Sequence, residues 1–92
     1  MRPILLHQRN AAKYLKKMPP DRRVQMIATL EEVAELEDIE THPAIKALTG
    51  KDAGVYRLRV GSYRALLRLI EDNLIEILFV DRIGPRGDVY KK

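Results

Sequence analysis

A chain of 92 residues, 46% hydrophobic and 33% charged, is the size of one compact domain with one core, and its composition excludes a disordered tail. With no cysteine it forms neither a disulfide framework nor a thiolate metal site, and no apolar run reaches the length of a signal peptide or membrane span, so a cytoplasmic location is expected. The formal net charge of +4 permits a polyanionic partner without requiring one.

That charge is polarised along the chain. Arg2, Arg9, Lys13, Lys16, Lys17, Arg22 and Arg23 stand against the single acid Asp21, whereas Glu31, Glu32, Glu35, Glu37, Asp38 and Glu40 follow with no base among them. The acids read as a solvated helix end.

Pro3 to His7 holds the apolar run Ile4-Leu5-Leu6, which is too short for a helix and suits a strand with Pro3 at its first position. Ala11, Leu15 and Met18 then fall on one helical stripe, with Arg9, Lys13, Lys16 and Lys17 pointing elsewhere, so an amphipathic helix is expected over Gln8 to Lys17. Met18-Pro19-Pro20 ends it. A second helix begins at Pro20 or Asp21, carries the apolar stripe Met26, Ile27, Leu30, Val33 and Ala34, and runs to about Asp38. Thr41 to Gly54 lacks sustained periodicity and reads as a loop, with room for one helical turn at Ala44 to Leu48.

From Val55 onward, β-branched and aromatic residues alternate with arginines over two strands, followed by a third at Leu74 to Val80. Gly61-Ser62 suits a two-residue hairpin of type II′, so Val60 is expected to face Tyr63. Tyr56, Leu58, Val60, Tyr63, Ala65 and Leu67 then share one face, and Arg57, Arg59, Arg64, Leu66 and Arg68 share the other. For the next hairpin, a three-residue loop Glu71-Asp72-Asn73 pairs Leu69 with Ile75, Leu67 with Ile77 and Ala65 with Phe79, and sets Arg68 opposite Glu76. A two-residue loop would bring Glu76 onto the core face. Asn73 would supply the left-handed conformation.

The expected register places Arg59 directly across from Arg64, with Arg57 nearby. Like charges facing each other across strands are destabilising, so folding alone does not select the arrangement. Any one of these arginines reads as a solvated strand residue, but three clustered on a rigid sheet read as a phosphate clamp, because guanidiniums stay charged and bind phosphate in a fork.

Leu48 to Gly50, the run Val55-Tyr56-Arg57-Leu58-Arg59-Val60-Gly61-Ser62-Tyr63-Arg64 and the later Arg86-Gly87-Asp88-Val89-Tyr90 together resemble the RelE/ParE toxin superfamily. The resemblance spans nearly the whole chain. It implies a single α+β domain over residues 1–92, with two N-terminal helices packed on a small antiparallel sheet in the order β-α-α-β-β-β. It further implies a cytoplasmic toxin held inactive by a cognate antitoxin. RelE-like members cut messenger RNA on the ribosome, and ParE-like members poison DNA gyrase.

By position, Arg57 and Arg59 match two basic strand residues that are usually lysines in RelE, and Arg64 matches its phosphate-binding arginine. Tyr90 matches its C-terminal tyrosine, and Arg86 the basic residue before it. The resemblance therefore implies Arg57, Arg59, Arg64 and Tyr90 as the catalytic set, with Arg68 and Arg86 added for RNA binding.

RNA cleavage by a ribose 2′-hydroxyl needs a base, a partner for the phosphorane charge and a proton for the leaving oxygen. Guanidiniums serve the second need well and the other two badly. Tyr90 is the remaining candidate, as a proton-transfer group or as a platform stacking on a base, unless it is simply a packed or frayed terminal residue. Pro85 stands just before Arg86, where many relatives carry a histidine or a further basic residue, and it can transfer no proton.

His7 and His42 show no ligand spacing, so neither a metal nor a small-molecule cofactor is expected. The messenger RNA endonuclease is the first reading. The gyrase poison, favoured by the arginine-for-lysine replacements and the absent histidine, is its rival. A silent homologue whose basic face serves only the antitoxin is the third.

Overall fold

The computed structural model describes residues 1–85. A short strand β1 (Ile4–Leu6) leads into a π-helical turn at Gln8–Ala12 that continues as α1 (Lys13–Lys17). The expected first helix is present over its full span. Pro19 and Pro20 break it, and Pro20 opens α2 (Pro20–Glu35), where its missing N–H costs nothing. Arg23 locks the pair by donating to the carbonyls of Leu15, Lys16 and Met18 at 3.0, 3.1 and 3.0 Å, which satisfies acceptors that the end of a helix leaves open.

After α2 come a 3-10 turn (Ile39–Thr41), strand β2 (Ile45–Ala47), a second 3-10 turn (Gly50–Asp52) and three longer strands, β3 (Tyr56–Val60), β4 (Tyr63–Asp72) and β5 (Ile75–Pro85). The sheet order is β1-β5-β4-β3-β2. Met26, Leu30, Val33 and Ala34 of α2 and Ala11, Leu15 and Met18 of the first helical segment form one core with Leu58, Val60, Ala65, Leu67, Leu78, Val80 and Ile83 of the sheet. No helix among the described residues is long and apolar enough to cross a membrane.

The first hairpin has the expected register. Val60 pairs with Tyr63, Arg59 with Arg64, Leu58 with Ala65, Arg57 with Leu66 and Tyr56 with Leu67. Gly61 takes φ +59°, a conformation a glycine adopts without penalty.

Several expectations are corrected. The sheet is mixed, because β1 runs parallel to β5, with Ile4 beside Leu78 and Leu6 beside Val80. The segment read as a loop with a helical turn contains β2, antiparallel to β3, so the order is β-α-α-β-β-β-β and not β-α-α-β-β-β. Three residues are too few for periodicity to reveal, and only pairing with β3 makes them a strand. The second helix stops at Glu35 instead of Asp38, and Ile27 is exposed at 39%, off the buried stripe.

The second hairpin also differs. Its turn is two residues, Asn73 and Leu74, both with positive φ (50° and 67°), so Asp72 pairs with Ile75, Leu69 with Leu78 and Leu67 with Val80. Arg68 faces Phe79 and not Glu76, and Glu76 pairs with Glu71. The shorter loop is possible because Glu76 lies at the rim of the core, where Arg2 Nε meets its Oε1 at 2.6 Å. A carboxylate that finds a cation at the edge of a core avoids the desolvation that would exclude it from the centre.

Candidate nucleic-acid interface

The register of β3 and β4 sends Tyr56, Leu58, Val60, Ala65 and Leu67 toward the helices and their alternate neighbours to the other side of the sheet. On that outer face Arg57, Arg59, Arg64 and Arg68 are assembled as the sequence indicated. Two further cations join them. Lys46 on β2 is the cross-strand partner of Arg57, and Arg82 on β5 is the partner of Leu66.

Arg82 reaches this face because of a bulge. Leu67 pairs with Val80 but Leu66 pairs with Arg82, so Asp81 is an extra residue that resets the alternation of β5. Val80 and Ile83 are therefore both buried, at 0% and 6% exposure, while Arg82 between them turns outward. One row across the sheet thus reads Lys46, Arg57, Leu66, Arg82, and the next reads Arg59, Arg64, Gly84. Gly84 places no side chain beside Arg64.

Among the described residues, no carboxylate is paired across a strand with any cation of these two rows. Arg57 Nε is buried and has no hydrogen-bond partner among the described residues. Leaving such a donor unsatisfied costs about 1–3 kcal/mol, so its persistence points to an acceptor beyond the described residues. Arg68 stands one row further along β4, its guanidinium 5.2 Å from the centroid of the Phe79 ring, a cation–π contact that holds it at the margin of the cluster.

Tyr90 and Arg86, the other two residues assigned by resemblance, lie outside the described residues. Both histidines have local structural work. His7 Nδ1 accepts from the Arg9 N–H at 3.3 Å, and His42 accepts from Ala44 N–H at 3.1 Å while its Nε2 lies 3.2 Å from Glu32 Oε1.

Sequence reasoning missed Lys46 and Arg82. The signal for Lys46 was slight, one lysine between Ile45 and Ala47. For Arg82 it was stronger, since Val80 and Ile83 are both apolar at a spacing that simple alternation cannot bury, which marks a bulge.

Neither a protein-family model nor a curated protein matches the sequence. Solved structures do match it. The chain is similar over 92% of its length to a chain of the toxin–antitoxin complex RelBE2 from Mycobacterium tuberculosis, covering 98% of that chain at 26% identity and a TM-score of 0.61. It is also similar to an archaeal RelE–RelB complex from Pyrococcus horikoshii OT3, with 19% identity, a TM-score of 0.69, and 94% and 96% of the two chains covered. The RelB–RelE complex from Methanococcus jannaschii gives 23% identity and a TM-score of 0.68, with 94% of each chain covered. The chain has a RelE-like toxin fold. In this RelE-like chain the outer face of the sheet gathers Lys46, Arg57, Arg59, Arg64 and Arg82.

Proposed function

We infer that this chain is the toxin of a toxin–antitoxin pair and that it cleaves messenger RNA on the ribosome, with a cognate antitoxin as the partner that holds it inactive. The observation that carries the nuclease reading is the cluster of Lys46, Arg57, Arg59, Arg64 and Arg82 on one sheet face, with Arg57 Nε buried and lacking an acceptor among the described residues. The likeness to RelE chains in complex with RelB supports the toxin role and the antitoxin partner.

In the reaction, the 2′-hydroxyl of a ribose gives its proton to a base, solvent water or a side chain in its neutral or deprotonated form, its oxygen attacks the adjacent phosphorus, and the bond from phosphorus to the 5′-oxygen breaks. A 2′,3′-cyclic phosphate and a free 5′-hydroxyl result. The extra negative charge on the phosphorane oxygens falls where the guanidiniums of Arg57, Arg59 and Arg64 can donate in a fork. Arg68 and Arg86 extend the grip on the strand. The proton for the leaving 5′-oxygen comes from a group that can part with one. Lys46 is the only amine in the two cation rows, and Tyr90 is the other candidate.

The experiment is primer extension on messages from cells after brief induction of the chain, with Arg64→Ala alongside. Breaks inside translated codons that vanish in the variant are expected, since each charge-assisted phosphate bond contributes about 1.5–3 kcal/mol. Intact messages in arrested cells would sink the nuclease reading and turn attention to gyrase. Intact messages without arrest would mean a basic face that serves only the antitoxin.

A further inference from the structure

β1 covers only Leu78–Val80 of β5, and beyond it the first helical segment runs beside the rest of that strand. Between the two opens a cleft of about 240 Å³, roughly eight times the share of volume of a water molecule in the liquid. Arg9, Lys13 and Lys17 line it from the helical side and Arg82 from the sheet, with Asn10 and Tyr14 between them. No carboxylate is among the described residues that line it.

Arg9, Lys13 and Lys17 recur every fourth residue, so they form a line of like charges about 6 Å apart along the helical segment. Like charges at that spacing weaken a helix, so the stripe is not there for folding. Two other N-terminal cations are committed to structure, Arg2 to Glu76 and Arg23 to the carbonyls of Leu15, Lys16 and Met18. Arg9, Lys13 and Lys17 are exposed.

Arg82 joins the two surfaces. It lines the cleft and also belongs to the outer sheet row that contains Arg57. Tyr14, held edge-on against Tyr63 with ring centroids 6.2 Å apart, puts an aromatic side chain among the cations. A line of evenly repeated charges beside an aromatic ring suits a single-stranded nucleic acid, whose charges repeat evenly and whose bases stack on rings.

We propose that this cleft is a second phosphodiester subsite, which holds the RNA strand a few nucleotides away from the phosphate gripped by the arginine face. The assignment rests on the RNA-cleaving reading given above. It adds a footprint: the strand crosses the sheet past Arg82 and continues along Arg9, Lys13 and Lys17.

The test is binding of fluorescein-labelled oligouridylates of about 4 and about 12 nucleotides to the purified chain over a range of salt concentrations. The variant is the triple Arg9→Gln, Lys13→Gln, Lys17→Gln, whose three positions are exposed, with a thermal melt to verify its fold. The wild type is expected to bind the longer oligomer more tightly. The variant should lose that gain, keep its hold on the shorter one, and show a log–log salt slope for the longer one shallower by about 2, at about 0.7 per lost contact.

Equal binding of the two oligomers by the wild type, or an unchanged slope in the variant, overturns the subsite. If the shorter oligomer is still bound by the wild type and lost on Arg64→Ala, the arginine face survives that result. Binding of neither oligomer overturns both. A variant that keeps RNA binding but loses a poly-glutamate peptide bound by the wild type reassigns the cleft to an acidic protein segment.

Discussion

Arg59 on β3 and Arg64 on β4 are direct cross-strand partners, two guanidinium-bearing residues side by side on the same face of the sheet. Opposed like charges in such a pair cost about 0.2–1 kcal/mol relative to neutral neighbours. Arg59→Thr, which also improves strand propensity, is therefore expected to raise the melting temperature by a few degrees, at about 4–8 °C per kcal/mol, while reducing message cleavage. A lower melting temperature would show that the pair contributes to stability and is not selected for a ligand.

Lys46 lies across from Arg57 and is the only amine in the two cation rows. Lys46→Arg keeps the positive charge but replaces an ammonium with a guanidinium that does not give up its proton. If Lys46 protonates the leaving oxygen, cleavage falls by about 100-fold or more in Lys46→Arg while RNA binding is retained. Retained cleavage in that variant would leave Tyr90 as the proton donor. Single-turnover rates at saturating RNA separate these outcomes.

Arg2 ties three parts of the fold together. Its Nε meets Glu76 Oε1 at 2.6 Å, and its two terminal nitrogens donate to the Leu36 and Glu37 carbonyls just past α2, the Glu37 contact at 2.7 Å. A cation there also offsets the helix dipole at an end crowded by Glu31, Glu32 and Glu35. Arg2→Ala is expected to lower stability by about 2 kcal/mol, since hydrogen bonds from charged groups contribute about 1.5–3 kcal/mol and half-exposed ion pairs add little. Urea denaturation measures it, and a loss under about 0.5 kcal/mol would contradict the clamp.

Leu74 is fully exposed and sits at φ +67°, next to Asn73 at φ +50°. A branched side chain in the left-handed region costs about 1–2 kcal/mol, partly offset by the greater chain entropy that glycine loses on folding. Leu74→Gly creates the Asn-Gly pair favoured in tight hairpins. It is expected to stabilise the chain by about 0.5–1 kcal/mol with cleavage unchanged, as read from parallel urea titrations and primer extension.

The β3–β4 hairpin and its arginine face were legible from the residues themselves, because alternation with a period of two and the Gly61-Ser62 turn are local properties. The helix break at Met18-Pro19-Pro20 and the strand Ile4–Leu6 were legible for the same reason. The second hairpin is not legible locally, because keeping Glu76 off the core face favours a three-residue loop over the two-residue turn that forms. The partner that makes the shorter loop acceptable, Arg2, is 74 positions away in the chain.

The same distinction separates the two halves of the candidate site. Arg57, Arg59 and Arg64 share a face by local periodicity, so a reading of neighbouring residues suffices to group them. Lys46 and Arg82 join them through an edge strand defined only by its pairing with β3 and through a bulge at Asp81 that shows itself only against β4. The cleft beside Arg82 likewise needs the parallel β1–β5 contact to bring Arg9, Lys13 and Lys17 alongside the sheet. Sequence patterns encode periodicity and turn chemistry within a segment, whereas these groupings arise from burying apolar faces contributed by segments far apart in the chain.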